Sequence, residues 1–140
     1  MPTPVSEHDL ARLLDAARAA RQHAHAPYSR FAVGAALLDE RGRVHAGCNV
    51  ENAAFPQSLC AEAVALGVLV VAGGTRVHAA VVVGESPQAV TPCGGCRQKL
   101  REFADGDTPV WSADEQGWRA RHTLGELLPA SFGPDHWSPP

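Results

Sequence analysis

The sequence predicts an α/β protein in which helices pack on a mostly buried sheet. Three observations lead there. Leucines and alanines recur at helical spacing near the start of the chain. Short apolar and β-branched runs follow. The order helix, hairpin, helix, strand, helix alternates the two kinds of element. With 140 residues, the chain suits one domain spanning 1–140 and can build a core without disulfide staples.

The elements justify themselves in turn. "SEHDLARLLDAARAARQHA" is a helix with Ser6 as N-cap and with Glu7 and Asp9 in its first turn, where the dipole favours them. Leu10, Leu13, Leu14 and Ala17 give it one apolar face, and Pro27 is expected to end it. "FAVGAALLD" reads as a buried strand and "RVHAGCNV" as its partner, joined by a turn at "DERG". "LCAEAVALGVLVVAGG" has the length of a helix, stopped by Gly73 and Gly74. "VHAAVVVG" is short and β-branched, hence a strand. "CGGCRQKLREFA" is a helix closed near Asp105 and Gly106. "PVWSAD" and "GWRARHT" are short strands around "DEQG", "LGELLP" is a last short helix, and the Pro-rich end is a tail.

Charge and composition exclude several functions. The net charge is −3 and the arginines are scattered, with no basic run interleaved with aromatics, so no nucleic-acid partner is expected. The longest apolar run, Val64 to Ala72, is too short for a membrane span and contains Gly67. The N-terminal residues lack the basic and apolar regions of a signal peptide. The expectation is a soluble, cytoplasmic protein, in which cysteine pairs serve metals or catalysis rather than disulfides.

Cys93 and Cys96 stand at i and i+3 at the start of a helix, which puts both sulfurs on one side of its first turn. The exposed N–H groups and the dipole there favour thiolates. That arrangement suits a redox pair or a metal. A redox CxxC belongs near the start of a thioredoxin-like unit, whereas this pair comes late and a third cysteine, Cys60, opens another helix. Three thiolates hold Zn²⁺ and leave the fourth tetrahedral position open. All four cysteines, with Cys48, would instead make a closed structural site. Glu62 lies on the same helical turn as Cys60, and a carboxylate beside an open zinc position is what activation of water requires. On spacing alone, a solvated surface glutamate is the commoner explanation.

Cys-x-Glu followed by Pro-Cys-x-x-Cys is far more specific than either part. "CNVENAAFPQSLCAEA" and "PCGGCRQ" resemble the two signature blocks of the cytidine deaminase family, in its short tetrameric form. "PYSRFAVGAAL" and "ELLPASFGP" also resemble family blocks in order and spacing, so the resemblance runs from about Ala26 to Pro134. It implies a three-layer α/β/α cytidine-deaminase-like fold with a central mixed sheet of about five strands. It implies one Zn²⁺ per chain held by Cys60, Cys93 and Cys96, with water as the fourth ligand and Glu62 as the proton shuttle. The implied activity is deamination of cytidine and deoxycytidine to uridine and deoxyuridine, a step of pyrimidine salvage. Asn49 and Glu51 would bind the sugar. As i and i+2 of an extended segment they point to one side, although polar residues at a strand end are ordinary. Phe31, Ala61 and Phe132 would contact the nucleoside, Phe132 in a neighbouring subunit's site of a homotetramer. Core packing is the alternative for either phenylalanine. Cys48 reads as a small buried residue, and Trp111, Trp118 and Trp137 as packing or surface residues.

Two positions depart from the family pattern. Ala63 replaces an arginine that would offset the thiolate charge, leaving the helix dipoles, Arg97 or Gln57 to do so. Phe55 replaces a tyrosine, removing one hydroxyl contact. These departures leave open the same chemistry on a modified cytosine nucleoside or a blasticidin-type antibiotic. A noncatalytic zinc-stabilised module is the alternative from another class. Nucleic-acid editing is disfavoured by an acidic chain without a basic channel.

Overall fold

The computed structural model describes residues 4–137. Helix α1 (Glu7–Arg21) starts where the Ser6 hydroxyl accepts the Asp9 amide at 3.0 Å. It ends at the Gln22 cap, not at Pro27. The segment after it leaves helical geometry early because His25 bridges to Val50 and draws the chain across the end of the sheet. Strands β1 (Val33–Asp39) and β2 (Val44–Cys48) form the expected antiparallel hairpin. Phe31 and Asn49 lie just outside these strands, Phe31 ahead of β1 and Asn49 after β2. Helix α2 (Ala61–Val71), strand β3 (Val77–Gly84), helix α3 (Gly94–Arg101), strands β4 (Pro109–Ala113) and β5 (Trp118–Thr123), and helix α4 (Leu124–Leu127) complete the order.

The sheet runs β2-β1-β3-β4-β5 and is mixed: β3 and β4 are parallel, and the other neighbours are antiparallel. Both faces are covered. On one, Leu13 and Ala17 of α1 pack on Ala36, Leu38, Val81 and Val83. On the other, Leu66 and Leu69 of α2 and Leu100 of α3 pack on Leu37, Ala80 and Val110. This is the expected three-layer α/β/α arrangement. Two glycines set the spacing of the layers. A Cβ on Gly34 would lie 2.0 Å from the Ala17 carbonyl oxygen, and one on Gly47 would lie 2.5 Å from the Ala65 amide nitrogen. The hairpin backbone thus touches α1 on one face and α2 on the other.

At the far end of the hairpin, Asp39 is only 1 % exposed. It accepts the Arg41 and Arg43 amides at 2.8 and 2.9 Å and the Arg43 Nε at 2.8 Å, and His45 Nε2 lies 2.8 Å away. Burial pushes its carboxyl up, but the His45 ring, these amides and the guanidinium outweigh burial and hold it below the usual range. The expected tail is corrected as far as Trp137. Pro134–Trp137 form a 3-10 turn, and Arg101 binds Ser131 at 2.9 Å and Asp135 at 2.6 Å. Residues 138–140, the last of that Pro-rich end, lie outside the described residues.

Candidate active site

Antiparallel pairing of β1 with β2 and β3 brings the start of β1 and the ends of β2 and β3 to one edge of the sheet. The chain leaves that edge into α2 and α3, so both helices present their N-termini there. Cys60 is the N-cap residue of α2 and Cys93 that of α3, both in extended backbone geometry, and Cys96 sits in the first turn of α3. The three Sγ atoms all lie within 4.8 Å of one another. Cys60 and Cys93 are 3.8 Å apart. Cys48 stands at the end of β2, half-buried rather than buried, and outside this group.

The protonation pattern of the sulfurs tests whether a cation fits. Burial, then Glu62 and the two neighbouring sulfurs, push the Cys96 thiol far up. Burial also raises Cys60. Cys93 is lowered: burial opposes ionisation, but the Cys96 amide and the two neighbouring thiols stabilise its thiolate. Without a cation, further negative charge at this spot is unfavourable. A divalent ion would remove that obstacle, and three sulfurs at two helix N-termini are a donor set suited to zinc. The same two helix dipoles offset thiolate charge in the absence of an arginine at Ala63.

Glu62, in the first turn of α2, is 5 % exposed. Burial raises its carboxyl above the usual range, against the pull of its own amide and Lys99. With Cys60, Ala61 and Cys93 it lines a cavity of about 330 Å³, whose walls include Phe31, Asn49 and Glu51. That volume lies in the range of small-molecule sites. A wider groove of about 810 Å³ near the C-terminal end of α3 is lined by groups such as the paired Arg101 and Asp135, so size alone does not mark the site.

Asn49 and Glu51 face the same cavity, as the spacing predicts, but both also hold the protein's own loop. Asn49 Oδ1 accepts the Val33 amide at 2.9 Å and Nδ2 donates to the Phe31 carbonyl at 2.7 Å. Glu51 Oε1 accepts the Tyr28 and Ser29 amides at 3.0 and 3.1 Å, and Oε2 accepts the Ser29 hydroxyl. Those bonds, the Ser29 hydroxyl first, hold the Glu51 carboxyl below the usual range. The sequence carries no local signal for Ser29, because its partner Glu51 lies 22 positions away. Phe132 is 55 % exposed, stacks on His136 with ring centroids 5.0 Å apart, and does not line this cavity. Gln57 lies in the exposed 3-10 turn Phe55–Gln57. Arg97 is spent on oxygen acceptors rather than on sulfur.

Comparison with known proteins points the same way. Residues 7–111 match the family described as "Cytidine and deoxycytidylate deaminase zinc-binding region". A cytidine deaminase of Sporosarcina psychrophila is 39% identical over 93% of this chain and 96% of its own length. One from Mycobacterium tuberculosis is 44% identical over 80% of each. The crystal structure of cytidine deaminase from Burkholderia pseudomallei superposes with a TM-score of 0.82 at 42% identity, covering 91% of this chain and 99% of that one.

Proposed function

The chain belongs to the cytidine and deoxycytidylate deaminase family, and from that premise we propose that it hydrolyses cytidine and deoxycytidine to uridine and deoxyuridine, releasing ammonia, as a step of pyrimidine salvage. The observation that carries the reading is Glu62, buried beside three clustered sulfurs in a cavity that also holds Asn49 and Glu51.

Cys60, Cys93 and Cys96 would hold one Zn²⁺, which when bound lowers the pKa of water and supplies a nucleophile near neutral pH. Glu62 takes a proton from the attacking water and delivers it to N3 of the pyrimidine, then takes the remaining proton of the hydroxyl added at C4 and passes it to the departing amine, which leaves as ammonia. A carboxyl raised by burial suits a group that must both accept and release a proton near neutrality. Asn49 and Glu51 orient the sugar. Asn49 keeps one amide hydrogen and Glu51 one acceptor direction beyond their loop bonds, enough for a sugar hydroxyl that donates and accepts. Phe31 and Ala61 bound the base.

The chain acts as one domain in a cytoplasmic homotetramer, with Phe132 completing a neighbour's cavity. Among the described residues no helix is long and apolar enough to cross a membrane. A closed four-cysteine zinc module would require Cys48, which stands outside the sulfur group. Purified zinc-loaded protein should convert cytidine with the expected loss of absorbance. No turnover of any cytosine nucleoside by protein carrying one zinc per chain would defeat the proposal.

A further inference from the structure

The guanidinium of Arg97 lies at the junction of three segments. Its Nε donates to the Pro92 carbonyl at 2.6 Å, its Nη2 to the Thr91 hydroxyl at 3.0 Å, and its Nη1 to the Leu127 carbonyl at 2.8 Å. Thr91 and Pro92 lead directly into Cys93, and Arg97 directly follows Cys96. Leu127 closes α4, where the last carbonyls have no partner within the helix. One side chain anchored beside the third sulfur therefore grips the backbone that delivers the second, and ties both to α4. A planar guanidinium can serve three acceptors because its donors leave in fixed directions, whereas an ammonium is a single rotating point charge.

We propose that Arg97 is a positioning residue for the metal, holding the segment ahead of Cys93 and the first turn of α3 in one fixed relation so that both sulfurs are placed before the ion arrives. The proposal rests on the reading that Cys60, Cys93 and Cys96 hold zinc. Without the grip, the Thr91–Pro92 segment must be ordered at the moment of binding, and the cost of that ordering falls on the metal affinity. Groups that orient metal ligands from outside the ligand shell typically change affinity by about 10–100-fold when removed. Arg101 supplies a built-in contrast. It leaves the same helix, but its guanidinium binds the Ser131 hydroxyl and pairs with the Asp135 carboxylate of the C-terminal segment, which do not lead into a sulfur.

The test is zinc affinity, measured by competition with a chromophoric chelator, for wild type, Arg97→Met, Arg97→Lys and Arg101→Met. Wild type should bind one zinc per chain. Arg97→Met should bind about 10–100-fold more weakly and Arg97→Lys should fall between the two. Arg101→Met should lower the thermal midpoint yet keep its affinity within about twofold. Cobalt-loaded Arg97→Met should also show altered ligand-field bands, a signature that general destabilisation does not produce. An Arg97→Met affinity within about twofold of wild type, or an equal loss in Arg101→Met, overturns the proposal. Where Arg97→Met does not fold, Arg97→Lys decides by the same criterion. A wild type that binds no zinc overturns the ligand reading itself; a wild type that binds it while both Arg97 variants match it overturns only the role of Arg97.

Discussion

Glu62 and Glu51 share a cavity, and their surroundings divide the work between them. Burial pushes Glu62 up, so a proton can come and go, whereas the Ser29 hydroxyl and two loop amides keep Glu51 ionised as a fixed acceptor. Glu62→Ala should therefore keep its zinc and fold and lose about 10²–10⁴-fold in kcat. Zinc analysis and turnover on the same sample check this, and more than a tenth of the wild-type rate would remove Glu62 from proton transfer. Glu51→Ala has two consequences, because the side chain also holds Tyr28 and Ser29 in place. The kcat/KM for cytidine should fall well below wild type. Free cytosine, which lacks the sugar, should change less, so the ratio of the two is the measurement; equal losses would mean Glu51 acts only on the loop. Cys48→Ser should retain one zinc where Cys93→Ser loses it, since Cys48 stands outside the sulfur group. Cys93 and Cys96 were legible in the sequence because the first turn of a helix makes i and i+3 neighbours, whereas Cys60 and Glu62 were legible only through the combined Cys-x-Glu and Pro-Cys-x-x-Cys pattern, since spacing alone favoured a surface glutamate. Ser29 was not, because its bond to Glu51 exists only once the 25–33 loop has folded back over the end of β2.

At the scale of elements, α2 carries Cys60, Ala61 and Glu62, and Gly47 lets it approach the hairpin. A methyl at Gly47 meets the Ala65 amide and the Ala61 carbonyl at 2.5 and 2.7 Å, both backbone atoms that cannot rotate away. Gly47→Ala should cost about 1–3 kcal/mol and should lower kcat beyond what the lost stability explains, because the shift displaces Glu62. Activity at a temperature where the variant remains folded tests this; full kcat there would show that α2 absorbs the methyl. The hairpin's other end answers to pH. Asp39 has a folded pKa below its unfolded value of about 3.9. Its contribution is therefore complete above about pH 4 and is lost as pH falls through the folded value. Asp39→Asn should cost about 1–3 kcal/mol at neutral pH and should flatten the decline below pH 4. Urea unfolding of metal-free wild type and variant, from pH 6 to 3, would show it, and parallel declines would exclude Asp39 as the source. Strands and helices were legible because apolar periodicity and turn residues repeat within each. The Asp39–His45–Arg43 cluster was not, because the hairpin alone does not show that the chain at the end of α2 will meet Arg43 and that Asp39 will be shut off from water.

For the molecule as a whole, the described surface carries exposed apolar side chains that a partner subunit could cover. Val71 at the end of α2 is 90 % exposed, with Val68 and Val70 about half exposed, and Phe55 and Leu59 stand open beside the cavity. A partner that covers such positions gains the burial that this chain does not supply for itself, and closed symmetric assemblies are the usual outcome for small soluble enzymes. Light scattering at micromolar concentration should give the mass of four chains, and a fully active monomer would exclude the assembly. Phe132 makes a sharper prediction. Its carbonyl is fixed to α3 by Gln98 at 2.9 Å while its ring remains exposed and away from this chain's own cavity, so the proposed contact to nucleoside requires another subunit's site. Phe132→Ala and Glu62→Ala should each be weakly active or inactive as pure proteins. Mixed, dissociated and reassembled, they should regain activity. A Phe132→Ala subunit keeps its own Glu62 and receives an intact Phe132 from its Glu62→Ala neighbour, so whole sites form at the shared interfaces. If the mixture is no more active than the average of its parts although both proteins assemble together, Phe132 serves no neighbouring site and its exposure needs another explanation.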